Sequence, residues 1–161
     1  MTTTPKLIAF HGDLKIKEKY LARVEAHRDA DELVRGTGWD GHRGRAVGCT
    51  LEKYDHVLYE TELGIPAVIA HLEDAIFEGL PLESAMDWPA RFLKAVPVGA
   101  DLSLVSAHFM VWLLETELAK YGSKKSRAVV ALYRRRIAGD EPTPAEWSEA
   151  AEAEEIGRAH V

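Results

Sequence analysis

At 161 residues the chain has the length of one domain, enough to enclose about two thirds of the surface that its unfolded form exposes. Apolar residues at 47% and charged residues at 29% exclude wholesale disorder and fibrous repeats. A formal charge of -6 excludes a protein that coats nucleic acid over its whole surface, while leaving room for a local basic face.

In chain order, Asp13 has the chemistry of a helix cap, and Ile16, Tyr20, Val24 and Val34 recur at helical spacing, predicting a first helix that runs to Gly36. His27 and Asp31 fall on its inward stripe. Residues 35–50, RGTGWDGHRGRAVGCT, hold five of the twelve glycines and predict a loop, since glycine loses most entropy on ordering. A short helix, TLEKYDH, is expected after it, within a region that is otherwise irregular. The peptide IPAVIAHLEDAIFEGLP predicts a helix begun near Pro66 and stopped by Gly79 and Pro81. LESAMDWPARFLKAVPVG then predicts a turn and a helix opened by Asp87, with Pro89 near its first position. Asp101 is placed as the cap of the most hydrophobic helix, SLVSAHFMVWLLETELAKY, which is expected at the centre of the core and ends at Gly122. A basic helix, KKSRAVVALYRRRIAG, follows, and Thr143 with Glu146 predicts a capping box before an acidic helix. Only TTTPKLIAF has strand character, and a lone strand has no partner. The expectation is an all-α, single-domain irregular bundle of about six helices over residues 1–161, with 140–161 a peripheral acidic helix and tail.

One cysteine cannot form an intramolecular disulfide, the first residues lack a signal-length apolar run, and AHFMVWLL at 107–114 is far shorter than a membrane span. A cytoplasmic protein is expected, with no membrane partner.

Read for chemistry, GTGWDG matches the spacing of a dinucleotide-binding loop, but that fingerprint works on a strand before the glycines and a helix after them. Here a helix precedes Gly36, so no nucleotide cofactor is expected. Consecutive flexible amides flanked by Arg35, His42, Arg43 and Arg45 suit a small anion, against the plain alternative that the glycines let Trp39 fold back onto the core. Cys49, ahead of the short helix expected at residue 50, has the setting of a thiolate nucleophile, with His11 or His56 as base. Inert packing of the thiol is the competing reading.

His11 with Asp13, His27 with Asp31 and His71 with Asp74 each set an imidazole near a carboxylate. Without HExxH or a similar motif these read as anchored histidines, and no metal site is expected. Polar residues on the inward stripe need partners, so His27, residues 11–13 and the glycine loop are expected to enclose one polar pocket. From Lys120 to Arg136 there are seven basic residues and no acid, a pattern compatible with phosphate contacts. Seven acids between Asp140 and Glu155 offer intramolecular partners instead, and Trp147, Ala150, Ala151 and Ile156 offer a protein-docking face.

The blocks HGDLKIKEKYLARVEAHRDADELVRGTGW, GRAVGCTLEKYDH, YETELGIP and HLEDAIFEGLP resemble a family of uncharacterised bacterial proteins, some with alanine-rich C-terminal extensions, over roughly residues 10–100. The resemblance implies no activity, cofactor or catalytic residue. Where that family has GCAVGC, Arg45 stands in place of the first cysteine, which removes a two-thiol metal or redox role. Three functions are expected in order: binding of a small anionic ligand or acidic partner segment through Asp13, Lys15, His27, Trp39, Arg43 and Arg45; a hydrolase or transferase using Cys49 with His11 or His56; and a nucleic-acid-binding or regulatory module acting through the charged C-terminal helices.

Overall fold

The computed structural model describes residues 6–117 and 124–152. Its described residues are all-α, and the backbone packs as two compact units, one ending at Ser103 and one beginning at Leu104. Among the described residues no helix is long and apolar enough to cross a membrane. The strand-like segment is described only from Lys6. There, Ile8 forms a single antiparallel bridge with Asp101, and Leu7 and Ala9 exchange backbone hydrogen bonds with Leu102 and Ala100.

Helix α1 spans Leu14–Asp29, and the Asp13 side chain accepts the Lys15 N–H at 2.8 Å, the expected N-cap. The helix stops seven residues before Gly36. Asp31 turns left-handed at φ 57°, the Glu32 N–H returns to the His27 carbonyl, and the chain leaves to pair Leu33 with Gly44. Asp31 therefore lies outside the helix in solvent, and Val34 is not on its stripe.

Helix α2, Ala46–Leu51, is buried at every position. It replaces the helix expected from Thr50, and places Cys49 on its fourth residue instead of ahead of its first. The chain then makes a π-type turn at Tyr59–Leu63, closed by Gly64 at φ 65°. A Cβ on Gly64 would overlap the Ile8 carbonyl oxygen, so only glycine fits.

Helix α3, Ala67–Gly79, has Pro66 at its N-cap, and Glu60 accepts the orphan Ala67 N–H at 3.0 Å. Helix α4 runs unbroken over Leu82–Ala95 from a Pro81 cap. Pro89 lies inside it and not at its start, contrary to the sequence reading. The missing N–H leaves the Ala85 carbonyl without its helical donor, and complete burial of the Pro89 ring offsets that loss. Phe10, Tyr20, Val24, Val47, Tyr59, Leu63, Ile65, Phe77 and Leu93 form the core of this first unit.

In the second unit, α5 is Val105–Trp112, followed by a π-type turn at Leu113–Glu117. Asp101 instead holds the Ser103 N–H and hydroxyl, two residues ahead of the helix. This apolar helix is not the centre of a core: Ala107 is its only buried residue and Trp112 is 53% exposed. Helix α6, Lys124–Ile137, and α7, Pro144–Glu152, complete the unit. The capping box forms as expected, with the Thr143 N–H on Glu146 at 2.7 Å and the Glu146 N–H on the Thr143 hydroxyl at 3.3 Å. The helix end expected at Gly122 and the docking residue Ile156 lie outside the described residues.

Candidate functional site

The glycine loop is an ordered, tightly packed segment. Gly38 lies under the Tyr54 ring, and Gly44 and Gly48 both meet the Gly38 carbonyl so closely that any Cβ would overlap it. Close backbone approach between the loop and α2, rather than mobility, is what these glycines provide. Trp39 packs against the core and sets its ring edge-on to His27 at 5.4 Å.

The loop's N–H groups do converge on anions, and the chain itself supplies them. The Asp40 carboxylate accepts the His42 and Arg43 N–H groups at 3.0 and 2.8 Å and the Arg43 side chain at 3.2 Å. Those donors hold its carboxyl below the usual carboxylate range. Glu78 accepts the Gly36 N–H at 2.9 Å and stands 3.0 Å from Arg45 Nε. The Arg35 side chain bonds the Leu80 carbonyl. Gly44 and Arg45 donate their N–H groups to Glu32 and Thr37 carbonyls.

His27, in the last turn of α1, donates from Nδ1 to a Glu32 carboxylate oxygen at 2.5 Å, while exposed His42 reaches the other Glu32 oxygen at 3.0 Å. Glu52 lies 3.7 Å from His27 Nε2 and 3.5 Å from Arg23. Loop and first helix thus meet, but through Glu32 and not Asp31. His11 and Asp13 are not part of this meeting: they precede α1, whose sixteen residues rise roughly 20 Å before His27. His11 bonds the Thr61 carbonyl at 3.0 Å, and Lys15 is exposed beyond the cap. The single pocket expected to join these pieces does not form.

Cys49 is fully buried, with its thiol 3.3 Å from the Gly44 carbonyl and 3.6 Å from that of Glu32. Burial, reinforced by the negative charges of Glu32, Asp40 and Asp74, pushes the thiol up to about 12. An activated nucleophile requires the opposite shift.

His56 occupies a different setting. It is buried, and its Nε2 lies 3.0 Å from Asp74 Oδ2 on α3, while the other Asp74 oxygen accepts the Val47 N–H from α2 at 3.0 Å. With the Asp74 carboxylate as acceptor, Nε2 is the protonated nitrogen, and the His56 hydrogen bond found among the described residues runs through it, which leaves the lone pair on Nδ1. Exposed His71 stacks on His56 with ring centres 3.7 Å apart, and Tyr54 meets its edge at 4.9 Å. The Tyr54 hydroxyl accepts Arg45 Nη1–H at 3.1 Å, and burial followed by the Asp74 charge raises its pKa.

His71, Asp74 and Glu78 share one face of α3, three to four residues apart, which is why a single helix can organise the cluster. Beside it, fully buried Glu73 accepts the Tyr59 hydroxyl at 2.8 Å. Sequence reasoning chose His56 and Arg45 but missed Tyr54, Glu73 and Asp74 as their company, and paired Asp74 with His71. The available signal was in HLEDAIFEG, where apolar residues surround two adjacent carboxylates, so that one at least must face inward.

Among the described residues, no three His, Cys, Asp or Glu side chains are grouped so as to hold a metal ion. In the second unit the three arginines in the last turn of the basic helix have acidic partners: Arg134 with Glu115, Arg135 with Asp140 and Glu146, and Arg136 with Glu141, at 2.5 to 3.3 Å. Tyr133 packs edge-on against Trp147 at 4.8 Å, joining α6 to α7. No family model, curated protein or solved structure matches the chain.

Proposed function

We propose that the first unit is an acid–base catalyst of the hydrolase or transferase class, with His56 as the general base and Cys49 as packing. The observation that carries this reading is the His56–Asp74 bond at 3.0 Å, which fixes the imidazole tautomer and leaves a lone pair for chemistry. A water or alcohol would give its proton to Nδ1 while its oxygen attacks a carbonyl or phosphoryl centre. The imidazolium that forms is stabilised by Asp74, as a carboxylate stabilises histidine in hydrolytic triads. That imidazolium returns the proton from Nδ1 to the departing alkoxide as the bond to the leaving group breaks, which restores the neutral imidazole. Tyr54, whose oxygen accepts from Arg45 and whose hydroxyl is directed at Asp74, would have to turn its O–H from that carboxylate to the substrate oxygen on which charge develops.

Anion binding at the glycine loop is the less favoured reading, because Asp40 and Glu78 already occupy its donors. Phosphate contact by α6 is disfavoured for the same reason, since Arg134, Arg135 and Arg136 face intrachain acids.

Turnover of a panel of activated carboxylic and phosphate esters tests the proposal. Wild type and Cys49→Ala are expected to hydrolyse at least one class at equal rates, with His56→Gln slower by about 100-fold or more. Failure of wild type on the whole panel, or equal turnover by His56→Gln, overturns it.

A further inference from the structure

The carboxyl group of Glu73 has no counter-charge. It sits on α3 with zero exposure, accepts one hydrogen bond from Tyr59, and leaves Oε1 with no partner among the described residues. The surrounding elements supply no cation. Helix α2 carries no charged residue, and presents only Thr50 and the uncharged Cys49 thiol. In the 59–63 turn, Glu60 is committed to the Ala67 N–H and Glu62 to the Tyr20 hydroxyl. On α3 itself the next residue is Asp74, a like charge that is held by His56 and Val47. From α4 the hydrogen bond to Glu73 is neutral, Trp88 Nε1–H donating to its backbone carbonyl at 3.0 Å. The charged residues of α4, Glu83, Asp87, Arg91 and Lys94, are all exposed, and Asp87 and Lys94 face Arg28 and Glu25 of α1.

A carboxylate sealed in such surroundings would bear the full desolvation cost with one donor to offset it. We propose that Glu73 is a neutral carboxylic acid in the folded protein, and that its ionisation is an alkaline trigger releasing the 56–59 segment from α3. The geometry makes the release specific. Consecutive residues of α3 hold this segment at two points, Asp74 at His56 and Glu73 at Tyr59. Charge at Glu73 demands water, and water can reach it only by parting Tyr59 from the helix, which loosens the neighbouring His56 attachment. Burial favours the neutral form and outweighs the opposing Tyr59 hydrogen bond, with a lesser contribution in the same direction as burial from the Asp74 charge. Tyr59, itself fully buried, is likewise held neutral by burial and by Glu73. The inference does not depend on the catalytic reading of His56.

The sign follows from proton counting. Above the ordinary glutamate range the unfolded chain has lost this proton and the folded chain keeps it, so folding takes up a proton and stability falls as pH rises, until the folded group itself ionises. Below that range Glu73 contributes no slope. The contribution inside the window approaches a tenfold rise in the unfolding equilibrium constant per pH unit.

Two measurements on the full chain test this. Carboxyl ¹³C shifts of wild-type protein, labelled at glutamate and assigned through Glu73→Gln, are expected to show one glutamic acid still protonated at neutral pH; an ionised Glu73 resonance at pH 6 overturns the proposal. Denaturant unfolding between pH 5 and 9 is expected to give Glu73→Gln a shallower loss of stability than wild type and a higher midpoint at the alkaline end. Identical slopes in the two proteins overturn it. If the variant fails to fold, the Glu73 resonance is assigned from sequential backbone connectivities in wild type, and its shift decides alone.

Discussion

The glycine loop and the His56–Asp74 cluster meet where Gly38 lies under the Tyr54 ring, and they invert what their sequences advertise. The loop is conspicuous, with glycines, arginines, histidine and tryptophan in a few residues, yet the N–H groups of Gly36, His42 and Arg43 are occupied by its own Asp40 and by Glu78 of α3. The cluster comes from two plain segments, KYDH and HLED, and engages His56 through Nε2, which leaves its Nδ1 lone pair uncommitted. Unusual composition here reflects a packing problem, the approach of one backbone to another. The buried His56–Asp74 pair came instead from ordinary residues, brought together where the segment after α2 packs on α3.

The sharpest break between the two regions is expected from the loop's packing glycines. Gly48→Ala places a methyl group on the Gly38 carbonyl and should cost about 3 kcal/mol or more in denaturant unfolding. Gly36→Ala meets open space and only a left-handed backbone at φ 75°, so about 1 kcal/mol is expected. Equal losses at the two positions would show that the loop is not packed as described. Next in size, Asp74→Ala strips partners from buried His56 and the Val47 N–H together, with an expected loss of about 2 to 4 kcal/mol. A change below 0.5 kcal/mol would mean that the cluster is hydrated rather than sealed. The smallest effect concerns Cys49. Its thiol should be alkylated at neutral pH more than tenfold more slowly than a free-thiol reference, and Cys49→Ala should cost only about 1 kcal/mol. Rapid alkylation of folded protein would restore the thiol as a candidate nucleophile.

The class of the fold was legible because local signals carried it. Asp13 and the Thr143–Glu146 pair cap their helices as their side-chain chemistry requires. What was not legible depended on partners distant in sequence. Nothing near Asp29 announces that α1 ends there; the stop comes from the pairing of Leu33 with Gly44. Pro89 reads as a helix start until the core that encloses its ring is known. Apolar residues all around α5 suggested a central helix, but apolar content states only that burial would be favourable, and that helix buries Ala107 alone. At the site, His56 and Asp74 are eighteen residues apart and belong to different elements. Their union depends on the intervening turn, whose geometry rests on Gly64 fitting against Ile8.

The seating of Asp40 on the amides of residues 42 and 43 has a consequence for any solute that approaches the loop. A tethered carboxylate competes at an effective local concentration in the millimolar range or above, without the translational entropy that a free ion must lose. A phosphate or sulfate in solution therefore meets a binding nest with a resident competitor, and gains a foothold only as far as it outbids a neighbour that never diffuses away.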